Sequence, residues 1–197
     1  MSNEVYQQRK KEWYTPYLER FKPLSSPFLE LGAGYGLLLE LAQSRGLEVA
    51  GVEHDTSRVE LCQAKGLNVV QHDLANPLPY ADGSFANIYC GQVIEHVPPP
   101  AQQMLVKEAY RVLRAGGQFQ ICSPCRHVDE ARKQPGHDYL LTPQELRQLL
   151  EQAGFREIRS LDHPQKVPEL PPEVVMDLWR RYRPDLLSES ASAMCSK

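Results

Sequence analysis

The chain has 197 residues, of which 42% are hydrophobic and 24% are charged, and its formal net charge is −3. This composition is typical of a globular protein that buries its own core, and it argues against a disordered chain. A net charge near zero also argues against general nucleic-acid binding. The length fits one domain, or one domain with additions at its ends.

Cysteine usage and hydropathy indicate where the protein works. The five cysteines have no disulfide-framework spacing, which favours a reduced, cytoplasmic protein. Residues 1–22 are polar and lack the apolar segment of a secretory signal, and no apolar run is long enough to cross a bilayer. We therefore expect a cytoplasmic protein without a transmembrane segment, either a monomer or a homodimer.

Short apolar runs alternate with amphipathic segments along most of the chain. Residues 4–21 form an amphipathic pattern that predicts a helix interrupted near Pro16. The predicted strands are 27–31, 48–52, 68–71, 85–90, 118–122 and 155–161. The predicted later helices are 35–44, 57–65, 100–113 and 142–153. This alternation predicts an α/β fold, Rossmann-like and doubly wound, with a mostly parallel sheet of six or seven strands and helices on both faces.

Local signals mark several boundaries. Thr142 is a predicted N-cap with Pro143 after it and Glu145 three residues on, and Gly154 ends that helix. Gly116 and Gly117 predict a plain turn before the fifth strand.

Three regions follow from this pattern. Residues 1–26 are interpreted as an N-terminal helical lid or cap, although the same helix could simply pack on the sheet. Residues 27–162 form the ligand-binding domain. Residues 163–197 are expected to hold a proline-rich segment, a short helix at 174–183 and a flexible tail, with no seventh strand.

A glycine-rich turn follows the first predicted strand at Gly32, Ala33, Gly34 and Gly36. Glycines at a strand-to-helix turn allow positive φ and close approach of the backbone to a ligand. A dinucleotide fingerprint requires a small residue where Leu37 stands, and a P-loop requires Gly-Lys-Ser/Thr, which is absent. The turn therefore lacks the usual features for binding phosphates.

Three acidic residues lie at the ends of the first three strands: Glu30, Glu53 and Asp73. Glu53 follows Gly32 by 21 residues, near the spacing at which an acid binds ribose hydroxyls. An acid at a strand end can equally cap a turn. Together the three acids favour an adenosine cofactor that carries positive charge, and S-adenosylmethionine is such a molecule.

The order of motifs resembles the class I S-adenosylmethionine-dependent methyltransferases from residue 28 to residue 161. The resemblance rests on LELGAGYG (29–36), GVEHD (51–55), DLANPLP (73–79), DGSF (82–85), VIEHV (93–97), AYRVLRAGG (109–117) and two segments at 142–146 and 153–155.

The resemblance implies a role for each matching position. Glu30 would lie under the methionine moiety, Glu53 would bind the ribose and Asp73 the adenine amino group. The implied cofactor-binding residues are Glu30, Gly32, Ala33, Gly34, Glu53, His54, Asp73, Leu74 and Gln92.

The acceptor side is less defined. A base is useful for an oxygen acceptor and for many nitrogen acceptors, and the candidates are His96, His127, His137 and Asp138. His96 is the first choice as catalytic residue, although it could instead cap a loop. The insert at 123–141 is expected to cover the pocket and to contact the acceptor's polar groups, with Arg126, Arg132 and Lys133 among its residues.

The expected function is methyl transfer to an oxygen or nitrogen of a small molecule. The alternative is a non-catalytic methyltransferase-fold scaffold that holds the cofactor or a partner, and an oxidoreductase is a weaker rival.

The sequence contains two candidate metal sites, and neither is predicted to bind an ion. VIEHV most resembles the ubiquinone-biosynthesis O-methyltransferases, some of which carry Glu-x-x-Glu-His and are linked to a divalent metal. Here Gln92 replaces the first glutamate, which removes a charged oxygen ligand. A zinc site of Cys122, Cys125, His127 and His137 would lack a second cysteine pair, so free buried thiols are favoured.

Overall fold

A computed structural model describes residue 12, residues 14–161 and residues 190–197. The strands are β1 (Phe28–Leu31), β2 (Val49–Glu53), β3 (Val69–Gln71), β4 (Phe85–Gly91), β5 (Leu113–Pro124), β6 (Arg156–Ser160) and β7 (Ser190–Ser196). The helices that follow β1 are α1 (Leu37–Ser44), α2 (Thr56–Ala64), α3 (Pro99–Val112), α4 (Asp129–Arg132) and α5 (Pro143–Ala153). A short 3₁₀ helix covers Ile94–His96.

All seven strands form one sheet in the order β3-β2-β1-β4-β5-β7-β6. The pairs from β3 through β5 are parallel, and β7 is antiparallel to both β5 and β6. The predicted Rossmann-like, mostly parallel sheet is therefore confirmed. The strand order reverses beside β1, and ligands of such sheets bind outside the carboxyl ends of the strands at this point.

Two hydrophobic clusters cover the two faces of the sheet. One includes residues of α3 and α5, and the other includes residues of α1 and α2. In the second cluster Leu18 and Phe21 of the N-terminal segment are buried, and the Phe21 ring packs edge-on against Phe28 at 5.7 Å. Residues 14–21 thus pack on the sheet.

The predicted cap of α5 is present in full. The Thr142 hydroxyl accepts a hydrogen bond from the Glu145 N–H at 3.2 Å, and the Glu145 carboxylate accepts one from the Thr142 N–H at 2.8 Å. Gly154 ends the helix with φ +104°. This cap fixes the direction in which the preceding insert enters α5.

The turn expected at Gly116 and Gly117 is instead part of a longer strand. β5 begins at Leu113, and its register on β4 shifts between Phe85 and Asn87, so the glycines form a bulge. A Cβ on Gly117 would lie 2.8 Å from the Ala86 carbonyl oxygen, which explains why glycine is needed there.

The expectation of a flexible tail without a seventh strand is wrong for residues 190–197. β7 inserts between β5 and β6, pairs with both, and is buried over 191–195. Its side chains alternate between the two faces of the sheet, so that Ala193 belongs to one hydrophobic cluster and Met194 to the other. Burial and pairing on both edges stabilise a segment whose composition does not favour a strand.

The remaining terminal expectations concern residues that the structure does not describe. The proline-rich segment, the helix at 174–183, and residues 1–11 and 13 of the proposed lid at 1–26 lie outside the described residues. Among the helices that are described, none has the length and apolar character needed to cross a membrane.

Candidate active site

A cavity of about 410 Å³ opens at the carboxyl ends of the first four strands. The predicted site residues that line it are Gly32, Glu53, His54, Asp73, Leu74, Gln92 and His96. Val52, Arg58, His72, Val93 and Val97 complete its wall. Glu30, Ala33 and Gly34 do not line this cavity and lie in the adjoining β1 strand and glycine turn. The structure therefore brings the predicted residues to one edge of the sheet, while their roles stay predictions.

The glycine turn has a left-handed backbone. Gly32, Gly34 and Gly36 have φ values of +76°, +53° and +74°. A Cβ on Gly32 would overlap the Val93 side chain, whereas no atom lies within 4 Å of the position of a Gly34 Cβ. The first glycine thus allows close packing against Val93, which follows β4, and the second leaves open space above the turn.

The Glu53 carboxylate holds the turn in place. It accepts hydrogen bonds from the N–H groups of Gly34 at 2.8 Å and of His54 and Asp55 at 3.0 Å each. Glu53 is only 8% exposed. Sequence spacing predicts that Glu53 binds ribose, with turn capping as the alternative. In the structure the Glu53 carboxylate caps backbone N–H groups and thereby links the end of β2 to the glycine turn.

Glu30 is a buried carboxyl group without full hydrogen bonding. It is 5% exposed, and its Oε2 has no hydrogen-bond partner. Burial raises the pKa of Glu30 well above its usual value, and the neighbouring Glu53 carboxylate raises it further. A cation nearby would compensate this buried acid.

Asp73 and Leu74 lie at the end of β3. Asp73 is exposed and accepts a hydrogen bond from the Ala75 N–H at 2.9 Å, which fixes the turn. Leu74 is buried and joins the hydrophobic cluster that includes α3. Asp73 and Leu74 therefore bring a carboxylate and an apolar side chain to the same wall of the cavity. Their predicted contact with adenine stays a prediction.

The opposite wall follows β4. Gln92 has φ +57°, a strained value for a residue with a side chain, and its N–H donates to the Cys122 carbonyl oxygen at 2.9 Å. Strain of this kind concentrates at functional sites. The role of Gln92 near the reacting group stays a prediction.

His96 is joined to the insert by a contact that the sequence did not reveal. Its Nδ1 lies 2.8 Å from the Gly136 carbonyl oxygen, and its ring packs against His137 at 5.0 Å between centroids. Glu95 beside it is fully buried, and neither of its carboxylate oxygens has a well-formed hydrogen bond. Burial raises the pKa of Glu95, and its own backbone N–H, the two histidines and the Ser123 hydroxyl partly oppose this. No sequence signal pairs His96 with His137, because the two residues are 41 positions apart in the chain.

A second cavity of about 680 Å³ lies under the insert. Its lining includes the predicted acceptor-side residues Arg126, Arg132, His137 and Asp138. Arg126 is paired with Glu145 at 2.7 Å, and Arg132 is paired with Asp129. His96 lines the first cavity and His137 lines the second, so the histidine pair lies between them. His127 and Lys133 line neither.

The rejected zinc set is not assembled. Cys122 and Cys125 are buried and form no disulfide bond, and Tyr89 Oη lies 3.4 Å from the Cys122 sulfur. Burial raises the pKa of the Cys122 thiol, which disfavours the thiolate that zinc requires. Within the described ranges, the group of His, Cys, Asp and Glu side chains close enough to share an ion is Glu95, His96 and His137.

Known proteins resemble this chain in sequence. Residues 29–121 match the family model described as a methyltransferase domain. A probable S-adenosylmethionine-dependent methyltransferase of Mycolicibacterium smegmatis is 35% identical over 132 residues, covering 64% of this chain and 51% of the relative. A sarcosine/dimethylglycine N-methyltransferase of Halorhodospira halochloris is 32% identical over 186 residues, covering 83% of this chain and 66% of the relative.

A ubiquinone biosynthesis O-methyltransferase of Psychrobacter arcticus is 28% identical over 153 residues, covering 64% of this chain and 58% of the relative. The chain thus spans between half and two thirds of the length of these curated relatives. The crystal structure of an S-adenosylmethionine-dependent methyltransferase from Archaeoglobus fulgidus shares the fold, with a TM-score of 0.71 and 21% identity over 100% of this chain and 95% of that one. The chain therefore contains a stretch, residues 29–121, that matches a methyltransferase domain, and over most of its length it is similar to S-adenosylmethionine-dependent methyltransferases.

Proposed function

We propose that this chain transfers the methyl group of S-adenosylmethionine to an oxygen or nitrogen atom of a small-molecule acceptor, in the cytoplasm. The observation that carries the proposal is the buried Glu30 carboxyl group with its unpartnered oxygen, next to a glycine turn and two further acids. A sulfonium and an ammonium group would compensate this acidic site, whereas a pyrophosphate would not. The five cysteines, all within the described residues, form no disulfide bonds, which supports a reducing compartment.

The residues at this edge of the sheet suit the parts of the cofactor. Glu30 and the turn at Gly32, Ala33 and Gly34 hold the charged methionine end, and Gln92 borders the reacting group. Glu53 and His54 contact the ribose, and Asp73 and Leu74 contact the adenine. When bound, the sulfonium supplies an already activated methyl group. The protein then has to align the acceptor and exclude water.

His96 is the proposed catalytic residue on the acceptor side. A carbonyl oxygen only accepts hydrogen bonds, so the 2.8 Å contact with Gly136 places the proton of a neutral His96 on Nδ1. The lone pair is then on Nε2, and the residue lines the cofactor cavity. His96 can therefore take a proton from an acceptor hydroxyl as methyl transfer proceeds, or from an acceptor ammonium group before transfer, which frees the nitrogen lone pair that attacks the methyl group.

The relatives include both N- and O-methyltransferases of small molecules, which supports a small acceptor and leaves both atom types in the proposal. The second cavity gives such an acceptor space beside His96. A scaffold that holds the cofactor or a partner without turnover is the competing reading, and it predicts cofactor binding without transfer to any acceptor.

Calorimetric titration with S-adenosylmethionine, S-adenosylhomocysteine and NADH tests the cofactor. We expect both adenosyl ligands to bind and NADH to give no heat. An acceptor screen with radiolabelled methyl donor then compares the wild type with His96→Ala. The variant should keep its cofactor affinity and lose most of its transfer rate, by about 10²–10⁴-fold. Absence of binding by either adenosyl ligand would refute the cofactor assignment, and undiminished transfer would remove His96 from the mechanism.

A further inference from the structure

The side-chain amide of Gln102 joins two segments that are far apart in the chain. Gln102 lies in the first turns of α3 and is only 4% exposed. Its Nε2 donates to the Ile94 carbonyl oxygen at 2.9 Å and to the Tyr139 carbonyl oxygen at 2.8 Å. Ile94 begins the 3₁₀ helix after β4, and Tyr139 belongs to the insert before α5. One buried side chain therefore ties the 3₁₀ helix to the insert.

The two hydrogen bonds use the full donor capacity of this amide. A glutamine amide nitrogen carries two hydrogens, and here each one has its own carbonyl acceptor. The neighbours of Gln102 on the buried face of α3 include Ala101, Leu105 and Val106, which are apolar. Burying a polar group is costly unless it is hydrogen-bonded, so packing alone would favour an apolar residue at this position. Glutamine at position 102 is explained by the two carbonyl groups that it binds.

The backbone of Tyr139 is held from two sides. Its N–H donates to the Glu95 carbonyl oxygen at 3.1 Å, and its carbonyl oxygen accepts from Gln102. The first bond attaches the insert to the 3₁₀ helix directly, and the second attaches it to α3. The end of the insert consequently has a defined position relative to the 3₁₀ helix.

His96 contacts both of the segments that Gln102 joins. It is the last residue of the 3₁₀ helix, and its Nδ1 lies 2.8 Å from the carbonyl oxygen of Gly136, three residues before Tyr139. Gly136 has φ +83°, and a Cβ at this position would lie only 3.3 Å from His96 Nδ1. The orientation of the His96 ring therefore depends on how closely the insert lies against the 3₁₀ helix.

We propose that Gln102 is a positioning residue, which holds His96 at the cofactor cavity by binding the 3₁₀ helix and the insert together. The inference rests on the proposed function, in which His96 takes a proton from the acceptor. Without the Gln102 amide, the carbonyl groups of Ile94 and Tyr139 lose a donor and the insert can shift relative to the 3₁₀ helix. Reacting groups have to lie about 3–3.5 Å apart, so a small shift of His96 lowers the transfer rate. Gln102 acts through His96 and not by contact with the reacting atoms.

The position of His96 can be followed without any acceptor. NMR spectra of the full chain, labelled in its histidine rings, are compared for the wild type, Gln102→Met and Gln103→Met, and His96→Ala identifies the His96 signals. Methionine has an unbranched side chain of similar length but no amide. Gln103 is the matched control, because it is an exposed glutamine next to Gln102 on the same helix. The His96 ring lies 5.0 Å from the His137 ring, so we expect its signals to shift or broaden in Gln102→Met alone.

Two further histidines report on the rest of the cavity. His54 and His72 line the cofactor cavity and lie outside the insert, so their signals should stay in place in both variants. Gln102→Asn is the second variant if Gln102→Met does not fold. Asparagine keeps both amide hydrogens but is one methylene shorter, so it should fail to bind both carbonyl groups at once and should shift the His96 signals as well.

Transfer rates show whether the effect passes through His96. With the acceptor found in the screen, Gln102→Met should lower the rate at saturating acceptor by up to about 100-fold, with unchanged affinity for S-adenosylmethionine. The same substitution in a His96→Ala protein should have almost no further effect, because the group that Gln102 positions is absent. A residue that only stabilises the fold would lower both rates by the same factor.

Unchanged His96 signals in Gln102→Met, or equal fractional losses of rate in the two backgrounds, would overturn the proposal. A failure of the proposed function looks different. In that case the wild type transfers no methyl group to any acceptor, while the His96 signals still respond to Gln102→Met and not to Gln103→Met.

Discussion

Replacing Gly34 by alanine distinguishes the cost of a left-handed backbone from the loss of a ligand contact. Gly34 has φ +53°, and no atom lies within 4 Å of the position of its added Cβ. The N–H group that donates to Glu53 is retained in alanine. The structural cost is therefore that of the left-handed conformation alone, about 1–2 kcal/mol.

Gly46 offers a matched control. It has φ +82°, it also has open space around its Cβ position, and it lies in the turn after α1, away from the cavity. Alanine at either position should lower the melting temperature by about 2–4 °C per kcal/mol in a chain of this size. The two variants are thus expected to be destabilised to a similar degree.

Only Gly34→Ala should lose affinity for S-adenosylmethionine. The new methyl group would stand in the space above the turn where the proposed cofactor approaches the backbone, and we expect a loss of at least about tenfold, or about 1.4 kcal/mol. Calorimetry and thermal denaturation on both variants give the comparison. Equal cofactor affinity in the two variants would show that the turn does not contact the ligand and would refute this reasoning.

Three further changes test other features. Glu30→Gln should raise stability at neutral pH and weaken S-adenosylmethionine binding. Because the pKa of Glu30 is raised in the folded state, the wild type loses stability as pH rises from about 4.5 toward that raised value, and glutamine removes this loss. Melting curves of both proteins across pH measure the difference, and identical curves would contradict the prediction. Arg111→Met leaves the buried Glu108 carboxylate without its 2.7 Å ion pair and should cost about 3 kcal/mol in urea unfolding. Because the Arg111 guanidinium lowers the pKa of Glu108, that difference should shrink as pH falls through the lowered pKa, and a pH-independent difference would be inconsistent with the ion pair. Deletion of 190–197 should abolish cooperative unfolding followed by circular dichroism, and a native-like transition would mean that β7 is dispensable.

Features with local causes were predictable from sequence. The cap at Thr142 depends on residues three positions apart, and the glycine turn after β1 depends on residues next to one another. The placement of Glu53 and Asp73 at one edge follows from the parallel sheet, because strand ends of such a sheet share an edge. These elements therefore needed no knowledge of distant contacts.

Features set by distant contacts were missed. β7 consists of small and polar residues, and its strand conformation comes from pairing with β5 and β6. The contact between His96 and His137 depends on how the insert folds back over the 3₁₀ helix. Neither arrangement leaves a periodic pattern in the residues concerned, so reasoning from periodicity and spacing could not find them.

The position of β7 has a consequence for the order in which the protein is assembled. β5 and β6 are not hydrogen-bonded to each other, and each is completed by a strand that follows both in the chain. During synthesis the nascent chain therefore carries two open strand edges until residues 190–196 have emerged. Such edges can pair with other chains. Chaperone contact with the unfinished sheet would protect the protein during this interval, whereas a slow step before β7 docks would prolong the exposure of these edges.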